Sequence, residues 1–161
     1  MDEKILEKYK KAGRINAEVQ GEVKELLKPG MKLLEIAEFI ERRILEKGGK
    51  LAFPVNTSLN VIAAHYVAQG NDPAVVEKGD LLKIDMGVRV DGYLSDSAFT
   101  YCSEKSPLAE AAEQAVQAAV EAIRPGVTVG MVSQAIEETV QGAGLGLIVN
   151  LTGHGMEQDM F

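Results

Sequence analysis

Cysteine is nearly absent. Cys102 stands alone, so no intrachain disulfide can form and the fold does not depend on an oxidising compartment. Tryptophan is missing and aromatics make up 5% of the residues, which leaves Leu, Ile, Val and Ala to build the core. Basic residues are the minority: 17 Lys and Arg against 24 Asp and Glu give a formal charge of −7. A nucleic-acid-binding face needs clustered cations, so nucleic acid is not an expected partner. An excess of acid is ordinary for a soluble cytosolic protein. No stretch approaches the roughly 20 apolar residues of a membrane helix. The segment Met1 to Lys11 is charged and lacks the apolar region of a secretory signal. The expected location is cytoplasmic, with no membrane. No glycine pattern suits a phosphate: there is neither Gly-x-Gly-x-x-Gly after a strand nor a Walker-type Lys. Ser95 and Ser97 lack a nucleophile-elbow context, and Cys102 has no basic partner nearby in sequence.

What is there is strongly patterned. Ile5, Tyr9, Ala12, Ile15, Val19, Val23, Leu26 and Leu27 recur at threes and fours and predict a long helix that Pro29-Gly30 ends. Leu34, Ile36, Ala37, Ile40, Ile44 and Leu45 predict a second, from Leu33 to Lys47, stopped by Gly48-Gly49. Leu51 to Val55 reads as a strand; Asn56 to His65 is extended or irregular, and Gln69 to Pro73 is a polar turn. Leu81 to Val90 and Tyr93 to Cys102 are β-type runs around Asp91-Gly92, a strong hairpin signal. Helices are expected over Leu108 to Ile123, opened by Pro107, and over Val129 to Val140. A glycine-rich turn, Gly142 to Gly146, then leads to an expected strand, Leu147 to Leu151.

The order helix, Pro-Gly, helix, glycine turn, strand occurs twice. Pro29 and Pro125 lie 96 residues apart, and Val55 and Val149 lie 94 apart. Such a repeat predicts a fold of two pseudo-symmetric halves. The first strand is followed by the Asp-Gly hairpin, whereas the second is followed by Phe161, so the expectation is a chain truncated within its second half.

Two carboxylates interrupt apolar β runs. Asp85 lies in Leu82-Lys83-Ile84-Asp85-Met86, and Asp96 lies between Leu94 and Ala98-Phe99. A hairpin centred on Asp91-Gly92 sets Asp85 nearly opposite Ser97 or Ala98, with Asp96 as its diagonal neighbour at roughly 7–8 Å. A carboxylate in an apolar strand is costly unless it is paired or bound to a metal, and two close ones repel. Metal binding and a structural role both remain open on this ground. Asp91 reads as a turn residue and Asp80 as the start of a strand. Of the two histidines, His154 is flanked by Gly153 and Gly155, which leave its ring accessible; His65 follows Ala63-Ala64. A lone His is more often structural than catalytic. Together with the two carboxylates, a glycine-flanked His suits Mn, Co, Fe or Zn, although a dinuclear site usually needs more carboxylates.

Phe53-Pro54-Val55-Asn56, Ser58-Leu59-Asn60, Ala63-Ala64-His65-Tyr66, Gly79-Asp80, Lys83-Ile84-Asp85-Met86-Gly87-Val88, Asp91-Gly92, Asp96-Ser97-Ala98-Phe99-Thr100 and Asn150-Leu151-Thr152-Gly153-His154 are all present, in order. This set resembles the signature of type II methionine aminopeptidases, the archaeal and eukaryotic class of peptidase family M24, across essentially the whole chain. The resemblance implies the α/β pita-bread (creatinase/aminopeptidase) fold, here an incomplete catalytic domain over residues 1–161. Its first half-unit would cover about 1–106, and the start of the second about 107–161. It implies a dinuclear centre of two Asp, one His and two Glu with two divalent ions. In that scheme Asp85 chelates one ion, Asp96 bridges both and His154 binds the other. His65 contacts substrate near the scissile bond and Phe53 lines the methionine pocket. The implied activity is removal of the initiator methionine, with nascent polypeptide N-termini, and the ribosome that carries them, as partners.

The family's two glutamates lie beyond Phe161, so this chain is expected to be inactive alone. Gly155-Met156-Glu157-Gln158-Asp159 departs from the type II pattern, which places a Tyr at about Asp159, and Gly153-His154-Gly155 resembles type I. The alternatives are a Xaa-Pro peptidase of the same fold and a non-catalytic binding module.

Overall fold

The computed structural model describes residues 2–160. The chain divides into two compact units. One holds the residues up to Ser103 together with those from His154 onward; the other is Glu104–Gly153.

In the first unit, α1 (Glu3–Leu26) and α2 (Leu33–Glu46) precede β1 (Lys50–Leu51), β2 (Asn56–Leu59), β3 (Leu81–Val90) and β4 (Tyr93–Cys102). Asp2 starts α1 by accepting the Lys4 amide at 2.8 Å. Gly30, at φ 93°, turns the chain between the helices. The inter-helix loop is tied down by the segment before β3: Gly30 N–H donates to the Val76 carbonyl, Val76 N–H to Met31, and Leu33 N–H to Ala74.

β3 is the central strand. β4 pairs along its whole length, from Leu81 opposite Cys102 to Val90 opposite Tyr93. Asp91 and Gly92 have φ of 50° and 89°, the two positive values that a tight two-residue hairpin turn requires. β1 and β2 share the other edge of β3, end to end: Leu51 faces Val88 and Asn56 faces Asp85. Residues 52–55 therefore oppose only Met86 and Gly87, a bulge at Phe53-Pro54. The expected strand over Leu51 to Val55 is thus corrected: it breaks at this bulge, because Pro54 has no N–H to give the ladder. The strand resumes over Asn56–Leu59, within the segment whose form the sequence left open.

One face of the sheet is the core. Leu82, Ile84, Met86 and Val88 alternate inward on β3 and are fully buried against Ile15, Val19 and Val23 of α1 and Ile36, Ile40 and Ile44 of α2. Each such side chain contributes roughly 1.5–3 kcal/mol by burial. The opposite face carries Lys83, Asp85, Gly87 and Arg89.

The second unit packs α3 (Pro107–Ala122) against α4 (Val129–Gly142) through Ala111, Ala115 and Val140. Ser106 and Thr128 cap their N-termini by accepting the amides of Ala109 and Met131. The 96-residue repeat is kept in detail. α1 and α3 end at Leu26 and Ala122, α2 and α4 start at Leu33 and Val129, and Gly30 and Gly126 turn at φ 93° and 90°. Burial is not repeated: Leu27 and Leu33 are 7% and 1% exposed, their counterparts Ile123 and Val129 66% and 84%.

One sequence expectation changes in this region. Leu147 to Leu151 is not a strand, since among the described residues no strand offers it a partner, and an apolar run becomes a strand only by pairing. Residues 154–160 belong to the first compact unit.

An ion network joins the two helices of the first unit. Arg43 grips Glu22 with Nε at 2.6 Å and Nη2 at 3.0 Å and also contacts Glu46; Lys47 reaches Glu18 at 2.7 Å and Glu22 at 3.1 Å. The hydrogen bonds from Arg43 and Lys47 hold the Glu22 carboxyl down from 4.5 to about 2. A carboxylate held low adds stability above its ordinary value, and that stability disappears as the pH falls through its lowered one. Glu22→Gln should therefore lower the urea midpoint at pH 7, and the difference from the parent should close between pH 4.5 and 2. A gap that persists unchanged at pH 2 would show that the carboxylate's charge is not its contribution.

Candidate metal centre

Register sets this site. Asp85 faces Ala98 and Gly87 faces Asp96, so both carboxylates stand on the sheet face away from the helices, one diagonal step apart. The expectation from turn position, that Asp96 is the diagonal neighbour of Asp85, holds. Asp96 stands close enough to act directly on the Asp85 carboxyl. His154 joins them, with Nε2 3.4 Å from Asp96 Oδ2.

The Asp85 carboxyl is pushed up from 3.8 to about 6. Burial is the largest cause, followed by the charge of Asp96 and the hydrogen bond with it; the charges of His65 and His154 pull it part of the way back. Asp85 Oδ1 is buried and has no hydrogen-bond partner. A buried oxygen without a donor, beside a second carboxylate and an imidazole, fits a divalent cation. Among the described residues no three His, Cys, Asp or Glu groups converge closely enough to hold an ion by themselves. The three residues form a chain, Asp85 to Asp96 to His154, not a closed cage.

His65 sits on an exposed loop in a left-handed conformation, φ 64°, which is uncommon for a residue with a side chain. Its neighbour Tyr66 fixes the loop to β2, accepting the Thr57 amide at 2.7 Å and donating its own N–H to Ser58 Oγ at 3.2 Å. The loop's start is set by Asn60, which donates to Asp80 Oδ1 and accepts from Leu81 N–H. Asp80 therefore serves the turn, and so does Asp91. The bulge brings Phe53 over the same face. Gly87 lets it approach, since a Cβ there would lie 2.5 Å from Phe53 Cε1 and 2.8 Å from Ala52 Cβ.

Asn16 was not singled out in the sequence. It is 2% exposed on α1 and donates Nδ2 to the carbonyls of Met86 (3.2 Å) and Ser95 (3.4 Å), while Ser97 Oγ donates to its Oδ1 at 2.6 Å. Those three residues flank Asp85 and Asp96, so one buried amide braces the hairpin from behind the carboxylates. A lone amide inside an apolar helical stripe was the available signal.

Carboxylate and imidazole donors on one face of an α/β layer are the residue types that divalent metal ions take as ligands. The chain belongs to metallopeptidase family M24, whose model matches residues 7–160. The methionine aminopeptidase of Thermococcus kodakarensis is 51% identical over 160 residues, covering 98% of this chain and 54% of that protein. That of Archaeoglobus fulgidus is 43% identical, covering 97% and 54%. Among solved structures, the methionine aminopeptidase of Thermotoga maritima matches with a TM-score of 0.82 at 25% identity, over 89% of this chain and 62% of that one. The prolidase of Pyrococcus furiosus matches at 0.79 and 26%, over 89% and 44%. The fold is the pita-bread fold of these aminopeptidases, and the chain spans about half the length of the curated relatives it matches. Membership implies divalent metal ions as cofactors.

Two outcomes follow from the geometry. Between pH 3.8 and about 6 folded Asp85 keeps a proton that the unfolded chain has released, so the fold loses stability as the pH rises through that window. In metal-free buffer, Asp85→Asn should raise the urea midpoint at pH 8, and the gain should vanish below pH 3.8. An equal gain at every pH would refute burial of the charge as its source. Gly87→Ala should cost about 1–3 kcal/mol by overpacking. Phe53→Leu in that background should recover part of it, and strictly additive costs in the double-mutant cycle would deny the contact.

Proposed function

We propose that the protein containing this chain removes the initiator methionine from nascent polypeptides in the cytoplasm, working where they emerge from the ribosome. The reading is carried by the Asp85–Asp96 pair, with its unpartnered buried oxygen, in a chain that is half identical to a named methionine aminopeptidase. Asp85, Asp96 and His154 would contribute to holding two divalent ions (Co, Mn, Fe or Zn). When bound, such ions supply Lewis-acid polarisation of the scissile carbonyl and a water acidic enough to attack it.

The chain's own residues do the rest. Phe53, on the bulge beside Asp96's row, offers an apolar wall for an unbranched thioether side chain. His65, whose loop Tyr66 ties to β2, would contact the substrate near the scissile bond. The backbone around Asp85 and Asp96 is fixed by Asn16 and by full pairing of β3 with β4, so the carboxylates keep their spacing as substrate enters.

A Xaa-Pro peptidase of the same fold is the second reading. The prolidase match supports the fold at 26% identity, against 51% for the methionine aminopeptidase relative, and so ranks below it. A non-catalytic binding module is a weaker fit, because it would have no use for a half-buried carboxylate pair.

The test joins this chain to the remaining length of the Thermococcus kodakarensis relative and assays methionine release from Met-Ala-Ser with added Mn or Co. The joined protein should release methionine and the chain alone should not. Asp96→Ala in the joined protein should reduce release by more than about 100-fold, beyond the range seen for residues that only support a ligand. His65→Ala should reduce turnover more than metal content. Undiminished release by a joined protein carrying both Asp85→Ala and Asp96→Ala would sink the proposal.

A further inference from the structure

His154 lies on a segment with no regular structure, and its flanking Gly153 and Gly155 sit in open space. Locally the ring has one contact, Nδ1 at 3.1 Å from the Gly155 carbonyl, on a backbone that the two glycines leave otherwise unpacked. A second constraint comes from further along. Glu157 to Met160 closes a small turn, with Glu157 N–H donating to the Met160 carbonyl at 2.9 Å. This turn rests on the tip of the β3–β4 hairpin. Asp159 N–H donates to the Gly92 carbonyl at 2.7 Å, and Arg89 Nη1 donates to Asp159 Oδ1 at 2.9 Å. Tyr93 donates its hydroxyl to Gln158 Oε1 at 3.3 Å, and Tyr9, edge-on to Tyr93, donates to the Met156 carbonyl at 3.4 Å. The approach depends on glycine: a Cβ on Gly92 would stand 2.8 Å from Asp159 Oδ2 and 2.9 Å from Gln158 Cγ. Asp159 itself takes φ 57°, a conformation that Asp tolerates better than most residues.

Arg89 faces Leu94 while Gly87 faces Asp96. The ion pair and Asp96 thus occupy the same face of the same hairpin, one two-residue step apart, about 7 Å along the strand. A turn pinned at Arg89 and Gly92 returns the chain to Asp96's row.

We infer that the Glu157–Met160 turn is a latch, and that Arg89 and Gly92 are positioning residues which, through Asp159, hold the His154 imidazole against Asp96. Only the metal readout below rests on the function proposed above.

The test uses the whole chain and three variants. Asp159→Pro removes the amide donor and the carboxylate and cannot adopt φ 57°, so it should undock the turn. Arg89→Met removes the ion pair, and Arg89→Lys keeps a cation. The first readout is the nuclear Overhauser contact between the His154 ring and the Asp96 β protons, with amide protection across β3 and β4 as the control for intact fold. The contact should be lost in Asp159→Pro and weakened in Arg89→Met, while Arg89→Lys stays near the parent. Amide exchange at Asp159 should accelerate by about two- to fivefold in Arg89→Met, as expected for an exposed ion pair. The second readout is Mn affinity by calorimetry, which should fall in Asp159→Pro with the sheet unchanged. A wild-type contact in Asp159→Pro, or identical behaviour of Arg89→Met and Arg89→Lys, would overturn the inference, while lost contact with unaltered Mn affinity would uphold the latch and tell against the metal reading. A parent chain that binds no Mn would likewise tell against the metal reading, and the Overhauser comparison would still decide the latch.

Discussion

Two carboxylates of like charge, one of them half-buried, stand within hydrogen-bonding reach on a β-sheet, and the rest of the first unit is arranged around that cost. Free in solution such groups would separate. Here they cannot, because β3 and β4 are paired without interruption and Asn16 grips the backbone beside both. The raised Asp85 carboxyl is the energetic record of this confinement. Stability given up at a site is recovered elsewhere, and the inner face of the same strands, with Leu82, Ile84, Met86 and Val88 fully buried, is where it is recovered.

The bulge at Phe53-Pro54 divides the sheet edge between two tasks. β1 secures one end of β3 and β2 the other, and the surplus chain between them is pushed over Gly87. Asn56, directly across from Asp85, donates its side-chain amide to the Pro54 carbonyl at 2.7 Å, which ties the bulge to the row of the buried carboxylate. Apolar wall and charged pair are thereby fixed to one frame, while the loop bearing His65 is held separately by backbone bonds through Tyr66.

Much of this was legible in the sequence, and the reasons are local. The helices end where Pro29-Gly30, Gly48-Gly49 and Pro125-Gly126 say they should, because capping and φ preference act within a few residues. The hairpin was legible to within one residue: a turn at Asp91-Gly92 put Asp85 opposite Ser97 or Ala98 with Asp96 as its diagonal neighbour, and the structure selects Ala98. What failed was non-local. Leu147 to Leu151 has strand composition, but a strand is a relation between two segments. Asn16 was passed over, since its partners on Met86, Ser95 and Ser97 lie some 70 to 81 residues away. Arg89 and Asp159, 70 residues apart, gave no sign of each other.

The two-residue turn at Asp91-Gly92 also has a consequence for how such a chain can change over generations. Substitutions along the hairpin are graded in their effect, but a change in its length is not. With residues alternating between faces, one inserted or deleted amino acid at the turn would rotate every later position of β4, sending Asp96 toward the helices and Phe99 toward solvent. Point changes in this hairpin can therefore accumulate while single-residue insertions are purged, and the length of the loop, more than its composition, is the inherited quantity.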